Sequence, residues 1–174
     1  MTDIIKNSIR AIHDYPKPGI VFRDITPLLA NGEAFKATIE ALVQRYQSKG
    51  LTKIVGIEAR GFIFGTALAY ALGIGFVPLR KPGKLPGKTI QQRYALEYGE
   101  DALEMHTDAL DATDHVLIID DLLATGGTVL AAVELMKHAD VTVEECAFII
   151  ALNVLPGAKR LQQASIPYYT LCEF

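Results

Sequence analysis

The chain has 174 residues, half of them hydrophobic, and a formal net charge of −3. This length and composition allow one substantial hydrophobic core, so we expect a single domain over residues 1–174. No apolar run approaches the roughly 20 residues that a membrane-spanning helix needs, and the chain lacks the general basic face of nucleic-acid-binding proteins. We therefore predict neither a membrane protein nor a protein that binds nucleic acid.

The N-terminal segment MTDIIKNSIRAIHDYP is predicted to form a short amphipathic helix, because Ile5, Ile9 and Ile12 share one helical face. It lacks the layout of a signal peptide. The two cysteines, Cys146 and Cys172, lie in apolar runs and form no CxxC pair, which is typical of free thiols in a reducing compartment. We therefore expect a cytoplasmic protein.

The next segments alternate between strand and helix patterns. PGIVFRDITP joins an apolar run to Arg23 and Asp24, and by itself it predicts only an edge strand with a polar end. A helix follows from about Glu33 to Ser48. After it come the strand KIVGIE, a turn of sequence ARG, a helix through FIFGTALAYAL and the strand IGFVPLR. This alternation predicts an α/β fold.

The segment RKPGKLPGKTIQQR, Arg80 to Arg93, carries five basic residues and no acidic ones. Charge runs are usually solvated surface loops. Here two Pro-Gly turns indicate a long, mobile loop, and a local basic loop on an acidic protein suits a small polyanion. We therefore predict a lid that closes over an anionic ligand.

The rest of the chain completes the predicted sheet. IQQRYALEYG and DALEMHTDAL alternate in the way of a β-hairpin and predict a small antiparallel flap. VLIIDDLLATGGT and the residues after it then predict a strand followed by a helix. The chain continues with the strand ECAFIIALN, a short helix after Pro156 and the strand YYTLCEF. The predicted architecture is a mainly parallel sheet flanked by helices, with the flap inserted before the DDLLATGGT segment.

The segment VLIIDDLLATGGT, Val116 to Thr128, predicts the ligand site. A buried strand leads to Asp120 and Asp121, and a turn of small residues opens the next helix, at the sheet edge where α/β proteins bind ligands. Amides of such a turn, with the hydroxyls of Thr125 and Thr128, can bind a phosphate at the helix N-terminus. Paired aspartates at a strand end are more often turn and cap residues, but beside a phosphate site they suit a ribose diol. Together these features predict a site for a ribose 5-phosphate.

This segment resembles the 5-phosphoribosyl-1-pyrophosphate (PRPP) motif of the type I phosphoribosyltransferases. Four other stretches, PGIVFRDITPLL, EARGF, RKPGKLPG and LEYG, are similar to the adenine-specific branch of that family and occur in order along nearly the whole chain. The resemblance implies a type I phosphoribosyltransferase fold with an N-terminal base-binding segment. It also implies a Mg²⁺-dependent purine-salvage reaction that converts adenine and PRPP to AMP and pyrophosphate, in a homodimeric protein.

The resemblance further implies roles for individual residues. The ribose 5-phosphate would be bound by Asp120, Asp121, Ala124, Thr125, Gly126, Gly127 and Thr128. Arg60, Lys81 and Lys84 would bind the pyrophosphate, with the lysines supplied by the same subunit or by its partner. Mg²⁺ would be held mainly by PRPP or pyrophosphate oxygens and waters, so we expect no direct protein ligand for the metal.

For the purine, the resemblance implies a sandwich between Phe22 and Leu122, while the backbone near Val21 and Arg23 contacts the polar edge of the ring. Glu97 would lie near N7 of the purine and act in general acid–base catalysis. Without the resemblance, Glu97 would be interpreted as a solvated surface charge.

Two alternative functions stay open. A hypoxanthine-guanine phosphoribosyltransferase is the nearest rival enzyme, although the stretches FRDITP and LEYG favour adenine. A non-catalytic PRPP-sensing regulator would usually carry an added DNA-binding module or a basic face, and neither is predicted here.

Overall fold

The computed structural model describes residues 2–96 and 98–174. The pattern of contacts divides the chain into two compact units, Met1–Arg45 and Tyr46–Phe174. The assignment of all 174 residues to one domain stays a prediction. No helix in the described residues is both long and apolar enough to cross a membrane.

The first unit begins with a short helix, α1 (Thr2–Asn7), and a hairpin of two strands, β1 (Arg10–His13) and β2 (Val21–Asp24). The strands pair antiparallel, and Ile12 lies opposite Phe22. The amphipathic helix predicted through Ile12 is therefore wrong beyond Asn7. A left-handed Asp14 (φ 57°) and the Pro-rich turn after it reverse the chain, so the backbone groups of β1 find their hydrogen-bond partners in β2.

Two helices follow the hairpin. The first, α2 (Thr26–Ala30), has Pro27 near its beginning, where the missing N–H of proline costs no helical hydrogen bond. This five-residue helix is too short to show a hydrophobic period, and the sequence analysis did not predict it. The second helix, α3 (Gly32–Tyr46), confirms the helix predicted between Glu33 and Ser48, with ends displaced by one and two residues.

The second unit contains seven strands and three helices in the part of it that the structure describes. In chain order they are β3 (Lys53–Ile57), α4 (Arg60–Leu72), β4 (Gly75–Leu79), β5 (Thr89–Ala95), β6 (Glu100–His106), β7 (His115–Leu123), α5 (Gly127–His138), β8 (Thr142–Ala151), α6 (Gly157–Gln163) and β9 (Tyr168–Glu173). Five of these strands form a sheet of order β4-β3-β7-β8-β9, in which every neighbouring pair is parallel.

The central strand of this sheet is β7. Val116, Leu117, Ile118 and Ile119 are completely buried, which is typical of a parallel strand covered on both faces. Helix α4 packs on β3 and β7, while α5 packs on the antiparallel pair β5–β6 and on β8. These features confirm the mainly parallel sheet with flanking helices and a small antiparallel flap.

Asp24 joins the hairpin of the first unit to α2. Its carboxylate accepts hydrogen bonds from the Thr26 hydroxyl at 2.6 Å, from the Thr26 N–H at 2.9 Å and from Arg10 Nε at 3.0 Å. The hydrogen bonds from Thr26, reinforced by Arg10, lower the pKa of Asp24 from 3.8 to about 2. Asp24 therefore stabilises the folded state through its ionised form.

We predict that Asp24→Asn lowers the free energy of unfolding near neutral pH by about 1–2 kcal/mol, less than the full pKa shift implies because the Arg10 side chain is exposed. A lowered pKa means that this stabilisation is complete above about pH 3.8 and is lost as the pH falls toward 2. Urea unfolding between pH 3 and pH 7 measures the difference. The exposed Asp3→Asn is the control, and an equal effect of both substitutions would contradict the prediction.

Candidate active site

Asp120 and Asp121 lie within β7 and not after it. Pairing with β8 continues past them, with Leu122 opposite Ile150 and Leu123 opposite Ala151. The prediction that the strand ends before the acidic pair is therefore wrong, because β8 is long enough to satisfy the backbone groups of four more residues. The Asp121 N–H donates to Asp120 Oδ1 at 2.8 Å, and the two carboxyl groups lie close enough for the charge of Asp121 to act on Asp120.

Both carboxyl groups lie in surroundings that disfavour their charge. The side chain of Asp121 is only 5% exposed and forms an ion pair with Arg60, Nε to Oδ2, at 2.9 Å. Asp120 is half-buried. Burial and the charge of Asp121 raise the pKa of Asp120 well above its usual range. Burial also raises the pKa of Asp121, against the opposing effect of the Arg60 guanidinium.

Close packing at the start of α4 brings Arg60 to this pair. A Cβ atom on Gly61 would lie 2.7 Å from the carbonyl oxygen of Ile119 and 3.2 Å from the Cα of Asp120. Only glycine allows this turn to approach β7 so closely. The role of Gly61 was not predicted from the sequence, although a glycine directly after the turn arginine was the available signal.

The loop between β7 and α5 lines a cavity of about 70 Å³. Gly126 adopts a left-handed φ of 84°, and α5 begins at the next residue. The first N–H groups of α5 have no acceptor within the helix and lie at its positive end. The residues that line the cavity are Asp120, Leu122, Leu123, Ala124, Thr125, Gly126, Thr128, Val129 and Phe148. The structure thus brings together most of the residues predicted for the ribose 5-phosphate, and Leu122 from the predicted base site.

The basic segment is shorter than the predicted lid. Thr89–Ala95 pairs with β6, so only the residues before Thr89 form the loop between β4 and β5. The prediction of a long loop reaching Arg93 is therefore wrong. Exposed and half-buried residues alternate along β5, as they do in a hairpin strand with one solvent-facing side.

A buried acid, Glu58, holds this loop in place. Its carboxylate accepts a hydrogen bond from the Lys81 N–H at 2.7 Å, and it pairs with Arg80 Nε at 3.3 Å and with Lys84 Nζ. Burial raises the pKa of Glu58, but the hydrogen bonds from Lys84 and Lys81 outweigh that effect and lower it. Glu58 is therefore an ionised anchor, which sequence reasoning missed because its partners lie more than 20 residues away.

The two predicted pyrophosphate lysines have different partners. Lys84 contacts Glu58, whereas the Nζ of Lys81 donates to the Tyr94 hydroxyl at 2.8 Å and pairs with Asp101 on β6. Both lysines are thus held by acids of their own chain, as Arg60 is held by Asp121.

The residues predicted for the purine are only partly described. Val21, Phe22 and Arg23 lie on β2 in the first unit and are half-buried, and the Phe22 ring packs edge-on against Tyr15 with centroids 5.4 Å apart. The purine sandwich and the roles of these residues stay predictions. Glu97, predicted to be catalytic, lies outside the described residues.

Comparison with known proteins identifies the family. Residues 24–169 match the phosphoribosyl transferase domain. An adenine phosphoribosyltransferase of Idiomarina loihiensis is 60% identical over 173 residues, which cover 99% of this chain and 98% of the relative.

Solved structures agree with this match. The crystal structure of adenine phosphoribosyltransferase from Thermoanaerobacter pseudethanolicus superposes with a TM-score of 0.94 at 45% identity and covers 100% of both chains. The Saccharomyces cerevisiae enzyme, complexed with an imino-altritol bisphosphate and adenine, gives a TM-score of 0.92 at 38% identity over 98% of each chain. The chain therefore belongs to the phosphoribosyl transferase family and, within it, to the adenine phosphoribosyltransferases.

Proposed function

We propose that the chain transfers the 5-phosphoribosyl group of PRPP to N9 of adenine and releases AMP and pyrophosphate. The observation that carries this proposal is the cavity lined jointly by Asp120, Leu122 and the loop before α5. It combines hydroxyl acceptors, an apolar side chain and backbone donors within one small space. Those are the contacts that a ribose, an adjoining base and a 5-phosphate require.

The backbone of the loop is proposed to bind the 5-phosphate. Ala124, Thr125 and Gly126 line the cavity, and Gly127 and Thr128 open α5, whose positive end favours an anion. The Thr125 and Thr128 hydroxyls would donate further hydrogen bonds.

The acidic pair is proposed to accept hydrogen bonds from the ribose hydroxyls. Hydroxyl donors suit carboxyl groups that are costly to ionise in a buried strand, because each hydrogen bond stabilises the carboxylate. Mg²⁺ is proposed to be held mainly by PRPP oxygens and waters, with no direct protein ligand. When bound, the ion would neutralise part of the charge that develops on the leaving pyrophosphate.

Three basic residues are proposed to stabilise that leaving group. Arg60, Lys81 and Lys84 already lie in ion pairs, so their side chains are partly ordered before pyrophosphate binds. Preorganised positive charge of this kind lowers the energy of the transition state as negative charge grows on the departing group. Closure of the basic loop would also exclude water from the reactive ribose.

The proposal also covers the purine-binding site, the oligomeric state and the cellular compartment. Phe22 and Leu122 are assigned to the purine faces, the backbone at Val21 and Arg23 to its polar edge, and Glu97 to N7, on the resemblance of their motifs to those of the family. The same resemblance supports a homodimer, and the buried thiols of Cys146 and Cys172, which form no disulfide, support a cytoplasmic location.

Pyrophosphate release with PRPP, Mg²⁺ and one purine base at a time tests the function. We expect a kcat/KM for adenine on the order of 10²-fold or more above those for hypoxanthine and guanine, since a polar site rejects bases that mismatch its hydrogen bonds. A preference for hypoxanthine or guanine would identify the rival enzyme. Binding of PRPP without turnover of any base would instead identify a regulator.

The acidic pair generates a prediction that separates activity from stability. Replacing both Asp120 and Asp121 with Asn should lower kcat/KM for PRPP by at least about 10²-fold, because two charge-assisted hydrogen bonds to the ribose are lost. A raised pKa means that ionisation of Asp120 opposes folding: the cost is absent below pH 3.8, grows as the pH rises from 3.8 toward the folded pKa, and is complete above it. Asp120→Asn alone should therefore keep or raise the thermal midpoint at neutral pH.

Steady-state kinetics and thermal unfolding of these variants check both parts, with the exposed Asp108→Asn as the control. Near wild-type kcat/KM for PRPP in the double variant would contradict the ribose assignment. A large fall in the thermal midpoint of Asp120→Asn would show that the ionised carboxylate stabilises the fold.

A second prediction concerns Glu97. Glu97→Leu should lower kcat by about 10²–10⁴-fold, because a carboxyl group at N7 controls the protonation of the purine as N9 attacks. The affinity for PRPP, measured by calorimetric titration, should stay the same, since the phosphate and ribose contacts remain. The kcat of Glu97→Gln should lie between those of Glu97→Leu and the wild type, because an amide donates a hydrogen bond but exchanges no proton.

The matched control is Glu100→Leu, an exposed acid at the start of β6. Turnover of adenine by Glu97→Leu within about threefold of wild type, far below the loss expected of a general acid–base group, would leave Glu97 a surface charge.

A further inference from the structure

The loop that lines the cavity is held by one neighbouring stretch of chain. The carbonyl groups of residues 123–125 accept hydrogen bonds from Leu152 N–H at 3.1 Å, Gly157 N–H at 2.9 Å and Arg160 Nη1 at 2.7 Å, in that order. The three donors come from the end of β8 and from α6. Three consecutive carbonyl groups, from the end of β7 into the loop, are thus fixed by hydrogen bonds.

Fixing the carbonyl groups also orients the N–H groups. In a planar trans peptide, the carbonyl and the following N–H point in opposite directions. The N–H groups of Thr125 and Gly126 are therefore turned away from their neighbours in α6, and that of Ala124 is turned away from Leu152. Ala124, Thr125 and Gly126 line the cavity, whose other lining residues belong to β7, α5 and β8.

Two of the three contacts use only backbone atoms in a tightly packed place. A Cβ atom on Gly157 would lie 2.3 Å from the carbonyl oxygen of Ala124, and one on Gly126 would lie 3.2 Å from the Cα of Gly157. Substitutions at either glycine would displace the loop itself. Among the three donors, only Arg160 uses a side chain, and it lies at the surface, where it can be replaced without repacking.

The Arg160 guanidinium also lies beside the first turn of α5. Its Nη1 atom is 3.8 Å from the position that a Cβ atom on Gly127 would occupy. A positive charge there adds to that of the helix N-terminus. The hydrogen bond to the Thr125 carbonyl further polarises the Thr125–Gly126 peptide and makes its N–H a better donor.

We propose that Arg160 is a positioning residue for the 5-phosphate, which acts by holding the Thr125–Gly126 peptide with its N–H toward the ligand. The inference rests on the proposed function, because it needs a ligand with a 5-phosphate in this cavity. It assigns to Arg160 a role in binding the phosphate and none in binding the base. Without Arg160, the Thr125 carbonyl can turn to water, and the Gly126 N–H is no longer fixed toward the phosphate.

Paired titrations with AMP and adenosine test this role, because the ratio of their dissociation constants isolates the contribution of the 5-phosphate. In Arg160→Ala, the ratio of the adenosine Kd to the AMP Kd should fall about tenfold, the value of one hydrogen bond to a charged group. The Kd for adenosine should not change. Arg160→Lys, which keeps the charge, should recover part of the ratio.

The matched control is Lys159→Ala, which removes an exposed cation from the adjacent position of α6 and should leave the ratio unchanged. An unchanged ratio in Arg160→Ala, or an equal loss of affinity for both ligands, would overturn the positioning role, whatever the effect on thermal stability. Wild-type protein that binds AMP no more tightly than adenosine would contradict the proposed function and, with it, this inference.

Discussion

Two adjacent carboxyl groups in the central strand of a parallel sheet impose the constraint on which the rest of this site depends. Asp120 and Asp121 continue β7 in surroundings that raise the pKa of both. Neighbouring carboxylates in such a place repel each other and lose hydration, so the folded chain needs compensating contacts. One is the ion pair of Asp121 with Arg60, which forms because Gly61 lets α4 begin against the backbone of β7. The proposed hydrogen bonds from the ribose hydroxyls would relieve the remaining cost.

Around this pair, side chains serve mainly to hold other groups in position. Glu58 is buried and ionised, and it fixes the basic loop through Lys84, Arg80 and the backbone of Lys81. Arg160 similarly fixes a peptide of the loop between β7 and α5 through the Thr125 carbonyl oxygen. Positive charges and N–H donors are thus in place before any anion binds. Such preorganisation suits catalysis by electrostatic stabilisation, because groups that are already oriented need no reorganisation in the transition state.

Local patterns in the sequence predict the sheet and the turn before α5 well. Buried runs such as Val116–Ile119 and the small residues before α5 carry signals that lie within one element. Prediction from local patterns fails where a residue far away in the sequence determines the conformation or the contact. Ile9 and Ile12 have helical spacing, yet pairing with β2 makes a strand of residues 10–13. The anchoring by Glu58 and Arg160 joins residues 22 to 35 positions apart, which no local period indicates.

Titration of the acidic pair tests the central constraint most directly. Carbon-13 NMR of the aspartate carboxyl groups in the ligand-free protein, assigned with Asp120→Asn and Asp121→Asn, follows the protonation of each group. The account predicts that Asp120 keeps its proton well above pH 3.8, the ordinary value for aspartate, and that its pKa falls when Asn removes the charge at position 121. If both carboxyl groups instead titrate at or below 3.8, their burial is not the constraint around which this site is built.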